Sequence, residues 1–327
     1  MRRLAPLAAV ALLTGCGREN MLDPASPQER KIATLWWVMM AVAWVGVAFI
    51  AFLLALGWLR RRRAKLPGGG GDRVATALVV ALGVAAPIVS LSALFAWSDV
   101  FVMRATSAPS PRSTARTIEV IGHQWWWEVR YPGTSAVTAN EIHVPVGVRV
   151  NVVGTSADVI HSFWVPQLNR KIDLIPGRTN RIVLDATRPG RFRGECYEFC
   201  GLQHAHMGLY VVAEPPAAFR AWLANMAKPA AEPRTGLERQ GRETFLSEAC
   251  SGCHQIRGTP AHARVGPDLT HLATRRTIAA ATLPNRPGYL AGWITDPQHQ
   301  KPGARMPALP LTGVQIQALL AYLESLR

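Results

Sequence analysis

The chain has 327 residues, 49% of them hydrophobic, five cysteines and a formal net charge of +15, enough for about two domains plus membrane segments. The charge first suggests a nucleic-acid or acidic-membrane partner, but its distribution argues against nucleic acid: residues 1–104 carry +7 (12 Lys+Arg against 5 Asp+Glu), whereas 105–230 and 231–327 carry only +4 each. The excess is densest at Arg60, Arg61, Arg62, Arg63, Lys65 and Arg73, which reads as a cytoplasmic topology signal.

Residues 1–15 begin with Arg2 and Arg3, continue through a short apolar run and end LLTGC, which resembles a bacterial lipoprotein signal cleaved before Cys16. An ordinary signal peptide or an uncleaved leader is the competing reading. Cleavage there makes Cys16 a lipidated N-terminus on the outer face of the cytoplasmic membrane, followed by an external segment over 16–32. The apolar stretches 33–59 and 74–103 are each long enough for a tilted span, and Trp36, Trp37 and Trp58 sit near the ends of the first, where indoles favour the interface. With RRRRAKLPGGGGDR between them, they predict a transmembrane hairpin over 33–103 with both ends outside, so that everything after about Arg104 faces the periplasm.

Over 104–215 the pattern changes to short runs rich in β-branched and aromatic residues, TIEVIG, WWWEVRY, EIHVPV, VRVNVVG, RIVLD and GLYVVAE, punctuated by Gly, Pro, Asn and Thr. Such runs predict a sandwich or Greek-key barrel. Within them CYEFCGLQHAHM carries two thiols (Cys196, Cys200), an imidazole (His204) and a thioether (Met207) on one short loop, with Gly201 to let the backbone turn. Soft donors select copper or iron–sulfur over magnesium or calcium. His161, in DVIHSFWVP, is the upstream candidate ligand. A disulfide between Cys196 and Cys200 and a zinc site, which the methionine disfavours, are the competing readings. His206 reads as a neighbour and His143 as structural or exposed. Trp125, in GHQWWWEVRYP, reads first as core.

The 216–235 region holds a short amphipathic helix, PPAAFRAWLANMA, and a linker, KPAAEPRTG. The linker opens a last domain over 236–327. There Cys250, Cys253 and His254 form CSGCH, the attachment motif for a c-type haem; zinc would need a second pair of cysteines. Met306, in KPGARMPALP, is the one methionine after Met226. It is therefore the sixth ligand by elimination over His262, His271 and His299, and Met/His ligation leaves no open position. Helices over about 237–249 and 313–326 are predicted to cross, the second opened by a Thr312/Gln315 capping box.

The pattern C-x-E-x-C-G-x-x-H-x-x-M, preceded by D-V-x-H-S, resembles the binuclear copper A site of cytochrome c oxidase subunit II. The segments VGPDLTHLATRR, PNRPGYLAGWITDPQ and RMPAL resemble the cytochrome c extension of its haem-c-bearing members. The resemblance implies a multidomain membrane protein: a two-helix transmembrane hairpin, an all-β cupredoxin-like Greek-key barrel and an all-α monohaem cytochrome c domain. It implies two copper ions bridged by Cys196 and Cys200 and each capped by a histidine, His161 or His204. Met207 and the Glu198 backbone carbonyl would be weak axial ligands. By the same resemblance Pro267 would position His254 through its carbonyl, and Trp125 would receive electrons. Asp173, Arg178 and the Glu198 side chain would lie near the large subunit, the last at a shared magnesium site.

The implied partners are subunit I, subunit III, an external cytochrome c or other donor, and the lipid bilayer. The implied function is electron transfer from the donor through haem c and copper A to subunit I, where oxygen is reduced to water. The copper A subunit of a nitric oxide reductase and a stand-alone membrane electron carrier are the rivals. One position departs from the family: where many members place a glutamate about seven residues before Pro87, this chain has Val80, and no carboxylate stands between Asp72 and Asp99.

Overall fold

The computed structural model describes residues 19–60, 72–110 and 113–327. The expected leader ending at Cys16, and Arg61, Arg62, Arg63 and Lys65 of the cationic turn, lie outside the described residues. The chain divides into two compact units, one over 27–107 and one joining the segment up to Ser26 to residues 108–327.

In the first unit α1 (Pro27–Arg60) and α2 (Arg73–Thr106) have 34 residues each. At 1.5 Å per residue either exceeds the ~30 Å hydrocarbon core of a bilayer. Their most apolar windows, of mean hydropathy 2.6 and 2.4, have no buried share. Trp44, Leu54, Leu91 and Phe95 are among the exposed apolar side chains, a surface suited to lipid rather than water. The second helix widens into π turns at Ala81–Ala85 and Ser98–Met103.

The second unit contains two five-stranded sheets. One has the order β3 (Val137–Ala139), β2 (Trp126–Arg130), β1 (Arg116–His123), β5 (Val150–Ser156), β8 (Asn180–Leu184). The other runs β4 (Glu141–Pro145), β10 (Gly208–Glu214), β9 (Gly190–Cys196), β6 (His161–Trp164), β7 (Ile172–Leu174). The β1/β5 and β4/β10 pairs are parallel. Alternation along β1 turns Ile118 and Val120 inward, where they join Trp127, Phe163, Phe192 and Leu209 in one core. The segment before α1 is tied to this barrel: the Ala25 N–H donates to the Gln167 carbonyl at 2.8 Å, and Glu19 accepts from Arg193 and Tyr197.

After the strands, α3 (Pro216–Met226) lays Phe219, Leu223 and Met226 onto the barrel core. Beyond the linker come α4 (Gly236–Ser247), α5 (Pro287–Thr295) and α6 (Gly313–Ser325). Capping boxes start α4 at Thr235/Glu238 and α6 at Thr312/Gln315. The two helices cross at Gly241, where a Cβ would lie 2.0 Å from the Ala318 carbonyl oxygen.

The last domain is not all helical, which corrects the expectation. Strands β11 (Thr277–Ile278) and β12 (Leu283–Pro284) form a hairpin, and Ala279, Ala280 and Ala281 between them have φ of 53°, 56° and 60°. Left-handed backbone costs a non-glycine residue about 1–2 kcal/mol. Docking offsets that cost: the Gly208 N–H at the start of β10 donates to the Ala280 carbonyl at 3.1 Å, and Ala280 packs with Trp126 and Ala139.

Candidate metal centres

Because β6 and β9 are paired with Phe163 opposite Cys196, His161 at the start of β6 stands beside the end of β9. The β9–β10 connection returns to the same place: the Cys196 N–H donates to the Met207 carbonyl at 3.1 Å, and Gly201, with φ of 116°, makes the turn. The two cysteine sulfurs are 3.8 Å apart. His161 Nδ1 is 3.8 Å from Cys196 Sγ, and His204 Nδ1 is 3.7 Å from Cys200 Sγ. Met207 Sδ lies 3.9 Å from Cys200 Sγ, and the Glu198 carbonyl oxygen 3.2 Å from Cys196 Sγ.

A disulfide requires about 2.05 Å between sulfurs, so these are two separate thiols. Metal–thiolate bonds of about 2.3 Å let sulfurs at this spacing share an ion. The hydrogen bond with Cys200, reinforced by His161, holds the Cys196 thiol far below its usual range, at about 3, while Cys200 beside that charge is raised. The thiolate is the form that binds metal. Two thiols, two imidazoles, a thioether and a carbonyl at one point fit soft metal ions.

Residues that sequence reasoning passed over hold these donors in place. Asp158 Oδ1 accepts from His161 Nε2 at 2.9 Å, and the same carboxylate accepts the N–H groups of Gln124 and Val159. That bond turns Nδ1 toward the sulfurs, as an outer carboxylate does for a ligating histidine. The Trp127 indole donates to the Met207 carbonyl at 3.2 Å and lies 6.0 Å from the His161 ring. A Cβ on Gly122 would meet His161 Cδ2 at 2.7 Å, so only glycine leaves the ring room. Phe199 (77% exposed) and Leu202 (80%) stand on the outside of the loop, and Asp173, Arg178, Glu198 and His206 are exposed.

In the last domain Cys250 lies on a one-turn helix directly after α4, and the His254 N–H donates to the Cys250 carbonyl at 3.0 Å. Cys250, Cys253, His254 and Met306 all line a mostly apolar cavity of about 280 Å³, together with Phe245, Leu290, Leu319 and Leu323. His254 Nδ1 donates to the Pro267 carbonyl at 2.8 Å, which leaves Nε2 free. Burial lowers the His254 pKa, favouring the neutral ring that ligates metal. The competing histidines are placed elsewhere. Both nitrogens of His271 face backbone carbonyls, of Arg327 and Lys228, and His262 and His299 are exposed and outside the cavity lining. Two thiols, an imidazole and a thioether around an apolar space fit a covalently held haem.

From the barrel side the same cavity is lined by Gln124, Trp125 and Trp126. Trp125 touches both sites: its indole donates to the Cys200 carbonyl at 3.0 Å, and the Arg305 guanidinium sits 5.7 Å from its ring centre. Further bonds join the two domains. Lys301 Nζ donates to the His206 carbonyl at 2.9 Å, the Arg276 N–H to Glu141 at 3.2 Å, Gln203 to the Pro302 carbonyl, and Arg257 to the carbonyls of Ser135, Met226 and Ala227.

Residues 134–214 match the family described as cytochrome C oxidase subunit II, periplasmic domain, and residues 239–327 match cytochrome c. Cytochrome c oxidase subunit 2 of Alkalihalophilus pseudofirmus is 36% identical over 342 residues, covering 99% of this chain and 97% of that protein. The chain belongs to the cytochrome c oxidase subunit II family. Its counterpart in Bacillus subtilis is 30% identical over 224 residues, 65% of this chain and 63% of that one. The crystal structure of the periplasmic domain of subunit II of cytochrome oxidase of Bradyrhizobium japonicum is 32% identical and covers 36% of this chain and 96% of that chain, with a TM-score of 0.34. As a subunit II, the chain is a membrane protein with periplasmic domains and α1 and α2 as candidate spans. Its β domain is the family's cupredoxin-like copper A domain, its C-terminal domain a cytochrome c domain, and its role that of an oxidoreductase working with subunit I.

Proposed function

We propose that this chain takes electrons from an external donor into its own haem c and passes them through a binuclear copper A centre to subunit I, where oxygen is reduced to water. Trp125 carries the reading, since it lines the haem cavity and also holds the carbonyl of Cys200. Bound copper and haem would supply one-electron redox change with no coordination position left open for substrate.

Cys196, Cys200, His161, His204, Met207 and the Glu198 carbonyl would together hold two copper ions, which would supply one-electron redox change. Cys250 and Cys253 would anchor one haem covalently between His254 and Met306, with the Pro267 carbonyl keeping the His254 ring turned. The apolar packing around both sites limits solvent access, which tunes potential. The proposed organisation is a signal over 1–15, an external segment over 16–32 with Cys16 lipidated, a hairpin over 33–103, a copper domain over 104–215, a helix and linker over 216–235, and a haem domain over 236–327. Subunit III, a cytochrome c donor and a magnesium ion at the Glu198 side chain complete it.

The test is the complex purified intact through a C-terminal tag. Two coppers and one covalent haem c per chain, with oxygen uptake from reduced cytochrome c, are expected. Nitric oxide turnover without oxygen uptake, or a chain that comes away alone, overturns the reading. In the same preparation Trp125→Leu should slow haem-to-copper transfer at unchanged metal content.

A further inference from the structure

We propose that Arg305 is a positioning residue for haem-to-copper transfer: from its place beside Met306 it holds Trp125 and Gln124 on the Cys200 carbonyl. The proposal rests on the proposed electron path and adds Arg305 to it. The electron leaves the haem and arrives at copper, so Arg305, Gln124 and Trp125 begin and end in the same redox and protonation state.

The Cys200 carbonyl accepts from Gln124 Nε2 at 2.7 Å and from the Trp125 indole at 3.0 Å. Arg305 reaches both of these donors from the haem domain. Its guanidinium lies 5.7 Å from the Trp125 ring centre, and its Nη2 donates to Gln124 Oε1. On the copper side the close approach depends on Gly201, where a Cβ would meet Trp125 Cζ2 at 3.0 Å and Gln124 Nε2 at 3.3 Å.

An amide has its acceptor at one end and its donors at the other, whereas arginine carries donors only. Arg305 on Oε1 therefore leaves Nε2 facing the Cys200 carbonyl; turned over, the amide would set its oxygen against that carbonyl. The backbone of Gln124 is fixed as well, since its N–H donates at 2.7 Å to Asp158, the carboxylate that holds His161.

A merely structural Arg305 would be expected to brace its own loop, but Gln298 already does so. The Gln298 amide donates to the carbonyls of Ala304 and Met306 at 2.7 and 3.3 Å and accepts from the Gly303 N–H at 2.9 Å. Arg305 is exposed, where a cation over a ring contributes little to stability. What its side chain does fix is the pair of donors between the haem cavity and the copper loop.

The experiment uses the full, haem-loaded chain with isotope-labelled tryptophan, in which the Trp125 indole signal is the one that Trp125→Leu removes. Arg305→Gln should speed solvent exchange of that indole N–H about tenfold, through loss of one hydrogen bond and one ring contact. The Trp164 indole, bonded to the Asn169 carbonyl at 2.9 Å, should exchange as before. Once copper is loaded, flash reduction of the haem should show transfer to copper slowed several-fold at unchanged haem and copper content. Arg305→Lys, which keeps a cation at the ring, should lie between. Unchanged Trp125 exchange in Arg305→Gln, or faster exchange with transfer at the wild-type rate, would overturn the proposal. Should Arg305→Gln fail to accumulate, Arg305→Lys decides alone by the same two readings. A wild-type chain with no haem-to-copper transfer would instead sink the underlying reading of the path.

Discussion

His161 is held from two directions: Asp158 bonds its Nε2 at 2.9 Å, and the bare backbone of Gly122 lies against its ring. Losing an outer partner of this kind typically weakens metal binding 10–100-fold. Asp158→Asn is therefore expected to lower copper affinity by that factor, measured by competition with a chelator, at unchanged haem content. Met207→Leu should shift the copper potential while haem attachment stays intact; loss of both together in spectra of the purified variant would contradict independent sites. Away from the metals, His143 stacks on Trp222 at 3.9 Å between Glu141 and Glu214. Burial alone would lower its pKa, but the two carboxylates outweigh burial and raise it. A raised imidazole pKa stabilises the fold fully below the ordinary value of about 6.5 and loses that contribution as pH rises through the folded-state value. His143→Gln should flatten the fall of Tm as pH rises above about 6.5.

At the scale of elements, what could be read from the sequence was whatever is local. CYEFCGLQHAHM and CSGCH each hold their donors within one loop, and the period-two runs announced the strands. The three alanines at 279–281 could not be read in that way. Alanine is the best helix former, and nothing in the triplet signals a left-handed turn; the N–H of Gly208, far away in the chain, which donates to the Ala280 carbonyl, supplies the reason. Asp158 stood inside the D-V-x-H-S pattern but carried no assigned role, because its bond to His161 depends on how β6 starts. Nothing local to Gly241 announces that α6 presses its Ala318 carbonyl against it. Gly241→Val should force α4 and α6 apart at a cost of about 1–3 kcal/mol, read as a lower midpoint in chemical denaturation.

Across the whole molecule, the linker KPAAEPRTG did not reveal whether the haem domain roams or rests. The partners that settle it, Glu141, Trp126, Gln203 and His206, lie far in sequence from the residues they meet. Those contacts are hydrogen bonds, many to backbone carbonyls, together with close packing, and no ion pair among the described residues joins the two domains. Dissolved salt therefore finds few charges to screen between them. With electron flow as proposed, haem-to-copper transfer should be first order and indifferent to ionic strength. Reduction by an outside protein, a diffusive encounter with a mildly basic domain, should vary steeply with it. Rapid-mixing traces across a salt series should thus separate into one phase that moves and one that stays still.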